Sequence, residues 1–163
     1  MKRFLLVMLV MAGFCVNASA QFFVGGTAGF SYRQETFSMT LLPQVGYEFN
    51  ETWAVGCGAG VNLVDDNVKA LVNPYLRFNF WNNEKVFLDL KATSEMSFSK
   101  NYSNNFVGLR PSIRYAVNDH LQLSTDIGFL GCDIYKYKGA DPQIKAALGL
   151  SIADVQLTVL YRL

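Results

Sequence analysis

Pro43-Gln-Val-Gly-Tyr-Glu-Phe-Asn50 is followed by Pro74-Tyr-Leu-Arg-Phe-Asn-Phe-Trp81 and by Pro111-Ser-Ile-Arg-Tyr-Ala-Val-Asn118. Each stretch alternates an apolar residue with a polar or small one, runs into a polar turn, and gives way to another alternating segment. Successive side chains of a strand point to opposite faces, so alternation marks a strand between two unlike surroundings. The copies stand roughly thirty to forty residues apart, about the length of one β-hairpin.

The same pattern runs outward from these stretches along the chain. A first strand sets Phe22, Val24, Gly26, Ala28, Phe30 and Tyr32 against Phe23, Gly25, Thr27, Gly29 and Ser31. The second carries Leu41, Pro43, Val45, Tyr47 and Phe49 outward, opposite Thr40, Gln44 and Glu48. The third opposes Trp53, Val55, Cys57 and Val61 to Gly56, Gly58, Gly60 and Asn62, and the fourth opposes Pro74, Leu76, Phe78 and Phe80 to Lys69, Arg77 and Asn79. Leu88, Leu90 and Ala92 oppose Asp89, Lys91 and Glu95 in the fifth, and Leu109, Pro111 and Ile113 oppose Arg110 and Arg114 in the sixth. The seventh places Leu121, Leu123, Ile127 and Phe129 outward, with Asp126 and Cys132 inward. The last places Leu157, Val159 and Tyr161 outward, with Arg162 inward. Its upstream half has the opposite phase, and a one-residue bulge near Ala153-Asp154 is preferred to a turn that would make a ninth strand.

Eight strands of this length suffice to cross a bilayer, since a tilted membrane strand needs only about 9–11 residues. Tight turns at Asn50-Glu51, Asn82-Asn83-Glu84 and Asn118-Asp119 suit a periplasmic side. Residues 33–36, 65–67, 99–105 and 136–143 then form the outer loops. Outward aromatics gather near the turns (Tyr47, Phe49, Trp53, Phe80, Tyr115, Tyr161), and Phe30, Tyr32, Phe37 and Phe98 gather at the other ends. Two such girdles belong at two membrane interfaces. A soluble barrel would have to expose the uninterrupted apolar face to water. The reading is therefore all-β: an eight-stranded antiparallel up-and-down transmembrane β-barrel.

Residues 1–20 stand apart as a cleavable signal peptide: Lys2 and Arg3, an apolar run from Phe4 to Val16, and Ala18-Ser-Ala20 before Gln21. Phe14 before Cys15 argues against lipidation. Residues 21–163 form the barrel domain. Its charges nearly cancel and make no basic stripe, so nucleic acid is not an expected partner. One histidine and no close cysteine pair leave metal sites and cofactors unsupported. Cys57, toward lipid, and Cys132, toward the lumen, should remain unpaired. Asn50-Glu-Thr52 fits a glycosylation pattern only by chance.

The export signal, the stretch Gly108-Leu-Arg-Pro-Ser-Ile-Arg-Tyr115 and the closing strand Val155–Leu163 resemble the small outer-membrane β-barrel domain family. That porin-like family is similar in architecture to the outer membrane protein A transmembrane domain and outer membrane protein X. The resemblance covers the whole of 21–163 and implies a Gram-negative outer-membrane location. It also implies surroundings of outer-membrane lipid and lipopolysaccharide, help from the barrel-assembly machinery, and a monomer. It says little about activity, because the family is functionally mixed. The family's closing strand usually ends in Phe, where this chain has Leu163, a departure that bears on assembly and not on fold.

The inward face carries the chemistry. The first three strands offer mainly small residues, and the later ones offer Arg77, Asp89, Lys91, Glu95, Arg110, Arg114 and Asp126. An eight-stranded barrel is only wide enough for side chains to fill, so these charges are expected to plug the lumen as a structural salt-bridge network. Counting about the turns puts Arg77 opposite Asp89 and Arg110 opposite Asp126. The function expected is non-enzymatic, structural or surface-interacting. A small passive pore is the alternative, and a lipid-active outer-membrane enzyme is less favoured, because His120 lies in a predicted periplasmic turn. Pro43, Pro74 and Pro111 sit mid-strand where each removes a ladder donor, either to restrain premature strand pairing or as simple local bulges.

Overall fold

Among the described residues ten strands follow one another in chain order: β1 Gln21–Arg33, β2 Thr36–Glu48, β3 Trp53–Val64, β4 Asn67–Asn83, β5 Val86–Phe98, β6 Tyr102–Ala116, β7 Leu121–Asp126, β8 Gly128–Tyr137, β9 Gln143–Leu150 and β10 Asp154–Arg162. The structure, a computed structural model, describes residues 21–33, 36–64, 67–98, 102–137, 143–150 and 154–163. The expected signal peptide, the tips of the expected outer loops, Asp65 among them, and Ala153 of the expected bulge lie outside the described residues.

Each strand pairs antiparallel with its neighbours, and β1 pairs with β10 to close the ring. Only eight staves stand around it. β7 and β8 both pair with β6, and β9 and β10 run beside them in one direction as the last stave. Both chain ends of the barrel thus lie at the end of the tight turns. The barrel is all-β and antiparallel, and no helix among the described residues is long and apolar enough to cross a membrane. Strands do the crossing in this architecture.

Three register breaks shape it. Between Asn79 and Trp81 the ladder to β5 shifts, so Phe80 is an extra residue and both Phe80 and Trp81 face out. Between β7 and β8, β6 steps from Ser112 to Leu109 while its neighbour steps from Asp126 to Leu130, which makes Ile127 a one-residue bulge. Faces exchange there. Phe129 therefore turns inward, and Cys132, opposite outward Val107, is exposed on the outer face, contrary to the expected lumenal position. In the last stave the chain advances from Leu150 to Leu157 while its neighbour moves only from Gly128 to Thr125. The chain does not reverse, so no ninth stave forms, but the offset is four residues and not the single one expected.

Local chemistry fixes the turns. Asn50 Oδ1 accepts the amides of Thr52 and Trp53 (2.9 and 2.8 Å), and Asn118 Oδ1 accepts those of His120 and Leu121 (2.9 and 2.7 Å). These are side-chain mimics of a backbone turn. The middle turn is Glu84-Lys85, one residue later than expected, with Glu84 at a φ of 37°.

The prolines share one arrangement. Pro43, Pro74 and Pro111 are paired without interruption to the preceding strand, opposite Gly26, Cys57 and Leu90. On the other side, toward the following strand, pairing lapses at Leu42-Pro43, Asn73-Pro74 and Arg110-Pro111. Proline has no N–H to offer, and each gap falls where that donor would have pointed.

The outer face is an apolar band of side chains such as Val45, Leu76, Leu109 and Leu157, all exposed. Phe23, Ala54, Tyr75 and Leu160 pack inside. Glycine makes room for them: a Cβ on Gly46 would strike the Phe23 ring, and one on Gly56 would strike Tyr75. Apolar outside and polar within is the inverse of a soluble barrel and the arrangement of a transmembrane one.

Candidate functional site in the barrel lumen

Alternation delivers every second side chain to a lumen that eight staves make narrow. The inward charges assort there into two tiers. Nearest the tight turns, Glu48 on β2 is a hub. It pairs with Arg77, accepts Arg162 Nη2 at 2.8 Å, and lies 4.0 Å from Arg114 Nη1. Asp89, 0% exposed, accepts Arg114 Nε and Nη2 at 2.8 and 3.2 Å and Asn79 Nδ2 at 2.9 Å. Gln122 Oε1 takes the remaining Arg114 nitrogen at 2.8 Å. Arg114 also lies over the Phe87 ring, 4.3 Å from its centroid, and Arg77 over Phe23 at 5.5 Å. Charges this deeply buried are tolerable only when paired and fully hydrogen-bonded.

The second tier sits mid-barrel. Lys91 Nζ donates to Asp126 Oδ1 at 2.7 Å, and Arg110 Nη2 donates to Glu95 Oε2 at 2.9 Å. Arg110 Nη1 reaches Asp126 Oδ2 at 4.0 Å, and its guanidinium stacks over Phe106 at 5.0 Å. Thr27 and Thr158 share a hydroxyl bond of 2.7 Å beside it, across the β1–β10 closure.

Two expected pairings are corrected. Arg77 stands opposite Lys91, not Asp89, whose cross-strand partner is Asn79. The bulge at Phe80 and the later turn together shift the count by two. Two cations side by side then splay apart, Arg77 to Glu48 and Lys91 to Asp126. Ser112, not Arg110, stands opposite Asp126, a slip of two residues that leaves Arg110 diagonal to it. Glu48, Asn79 and Arg162 were read as inward, but they and Gln122 were left out of the expected charge network. The surplus of inward arginine over nearby carboxylate was the signal for Glu48.

Outside, Tyr47, Phe49, Trp53, Phe80, Tyr115 and Tyr161 are placed at the turn end, where Phe22 meets Tyr47 at 4.9 Å and Trp53 meets Phe78 at 4.7 Å. Phe30 and Phe37 lie 6.4 Å apart at the other end, with Phe98 exposed there as well; the Tyr32 side chain lies outside the described residues. His120 stacks on Tyr161 at 5.7 Å, with Nδ1 3.1 Å from the Arg162 carbonyl oxygen. Cys57 and Cys132 are free and exposed, and no cluster of metal-ligating side chains occurs among the described residues.

No protein-family model matches the chain, and no curated protein does. Among solved structures it is similar to the de novo designed TMB2.3, determined by solution NMR. The TM-score is 0.53 at 11% identity, covering 91% of this chain and 98% of that one. The likeness is one of fold, and a designed protein brings no natural activity with it.

Proposed function

We propose that this chain is a non-enzymatic outer-membrane β-barrel of a Gram-negative cell, with a structural or surface-interaction role and a lumen closed by its own side chains. The observation that carries the reading is the turn-end tier, in which Arg114 and Asp89 are buried and joined through Glu48 to staves on the far wall. A water-filled channel would keep such charges hydrated. The family resemblance, the export signal at 1–20 and the apolar band support delivery to the outer membrane, within lipid and lipopolysaccharide, by the barrel-assembly machinery. A closed ring offers no free edge for strand pairing, which supports a monomer. The position of His120, exposed in a turn at the end where the first strand begins and the last one finishes, supports a role without hydrolytic chemistry.

Planar-bilayer recording of the purified barrel tests the plug. No steady conductance steps are expected. Large, reproducible single-channel steps would replace the plugged reading with that of a passive pore.

A further inference from the structure

The outer wall carries a groove. On β5 the outward residues Ala92 and Ser94 are short, while Leu76 and Pro74 on β4 and Leu109 and Val107 on β6 rise on either side. The groove between them has a volume of about 520 Å³. It lies in the apolar band, with Ser94 four residues along β5 from the exposed Phe98.

The β4–β5 seam forms its floor. Tyr75 and Thr93 also line it, yet both side chains are buried on the lumen side, so what they lend is backbone. The ladder pairs Val72 with Met96 and Tyr75 with Thr93 and misses the two pairs between, one of which sets Pro74 opposite Ser94. Pro74 is paired without a break to β3 on its other side, which leaves its nitrogen pointing at β5. In a hydrogen-bonded antiparallel pair each residue accepts the other's N–H. Pro74 has none to give. Ser94 can donate to the Pro74 carbonyl, but its own carbonyl receives nothing in return. Pro111 shows the same half-made pair, its carbonyl accepting the Ile127 amide at 2.9 Å.

Nothing else reaches the Ser94 carbonyl. The polar side chains nearest the seam from the lumen are Asn73 and Thr93. Thr93 donates to Asn73 and lies 3.4 Å from the Pro74 carbonyl oxygen. The Ser94 side chain is half-buried, opens to the groove, and makes no hydrogen bond among the described residues. An apolar groove thus has one acceptor and one hydroxyl on its floor. A carbonyl bared to hydrocarbon is costly, because no water is there to serve it. A plain acyl chain fills the groove but cannot donate.

We infer that the groove seats an acyl chain of a membrane lipid that carries a hydroxyl part-way along its length. The chain lies over β5 between Leu76 and Leu109, and its hydroxyl donates to the Ser94 carbonyl. The strand sets the depth. Four residues at about 3.3 Å place Ser94 roughly 13 Å along β5 from Phe98, or about 9 Å in depth at a tilt near 45°. A hydroxyl beside the headgroup is too shallow, and one near the middle of a stearoyl-length chain is at the right level. The inference rests on the membrane reading and not on the plug.

Nanodiscs of dimyristoylphosphatidylcholine test it, doped with equal amounts of phosphatidylcholines bearing a stearoyl, a 3-hydroxystearoyl or a 12-hydroxystearoyl chain. Native mass spectrometry of the released barrel counts the lipid retained. The 12-hydroxystearoyl lipid should be retained roughly tenfold over each of the others, the worth of one good hydrogen bond. Pro74→Val supplies the missing N–H and should bring that ratio close to one with the groove still open. Ala92→Leu fills the groove and should lower retention of all three lipids. Heat-dependent gel mobility checks that each variant has folded. Equal retention of the three lipids, a preference for the 3-hydroxystearoyl lipid, or a preference that survives in either folded variant overturns the inference. A chain that does not enter nanodiscs refutes the membrane reading and this inference with it; entry without preference refutes the inference alone.

Discussion

Replacing Asp89 with Asn keeps the volume of the turn-end tier and takes away its most buried negative charge. Arg114 is 2% exposed and gives two of its nitrogens to Asp89. After the substitution it keeps Gln122 at 2.8 Å and a longer contact to Glu48 at 4.0 Å. Glu48 is shared with Arg77 and Arg162, so it cannot fully compensate. Removing one member of a buried pair costs about 3–5 kcal/mol, and the residual pull of Glu48 puts the expectation near the lower bound, about 3 kcal/mol. Asp119→Asn, on an exposed turn, should stay within about 0.5 kcal/mol of wild type. Urea titration in nanodiscs, followed by tryptophan fluorescence from Trp53 and Trp81 and by heat-dependent gel mobility, measures both. A loss below about 1 kcal/mol for Asp89→Asn would refute the tier as a dry, mutually dependent network. Asp89→Asn combined with Arg114→Met should be more stable than Asp89→Asn alone, because no unpaired charge is left inside.

Gly56→Val should destabilise the barrel by about 1–3 kcal/mol through collision with the Tyr75 ring; an unchanged urea midpoint would mean that the ring moves aside freely. A nitroxide at Cys132 in a Cys57→Ser background should relax faster with oxygen, which partitions into lipid, than with a water-soluble nickel chelate. The reverse order would return Cys132 to the lumen and remove the bulge at Ile127. Pro74→Val restores an N–H at the gap between β4 and β5. It should raise stability by about 1 kcal/mol and give a slowly exchanging amide at that residue. A rapidly exchanging amide there would show that backbone spacing, not proline, sets the gap.

The stave-by-stave facing of β1 to β6 was legible because each residue's side is settled by its immediate neighbours. Phe23, Arg77 and Arg114 inward, with Val45, Leu90 and Ile113 outward, follow from parity alone. What parity cannot supply is an insertion. Phe80-Trp81 and Phe129-Leu130 each place two large apolar residues in succession, a local hint of a bulge; at the first the cross-strand register went astray, and at the second the facing itself. Partners across the lumen were harder still. Glu48 reaches Arg77 and Arg162 from strands distant in sequence, and which charges share a level depends on the stagger of the whole ring. The stagger sums every turn and bulge, so the bulge at Phe80 and the later turn beyond Asn83 were together enough to pair Arg77 with the wrong carboxylate. The groove over the β4–β5 seam was not legible at all, since it is defined by what the side chains leave unfilled.

The one-sided gaps at Pro43, Pro74 and Pro111 give the wall a grain. Pairs joined at the end away from the tight turns, β1 with β2, β3 with β4 and β5 with β6, are zipped past their prolines without a break. The joints between those pairs are the interrupted ones. The wall is thus panelled, with firm double-stave panels meeting along weaker seams. Excising or duplicating a panel such as β3–β4 would cut the ring at seams that are already incomplete. A barrel built this way can change circumference by two staves at a time, with its remaining panels intact and its parity preserved.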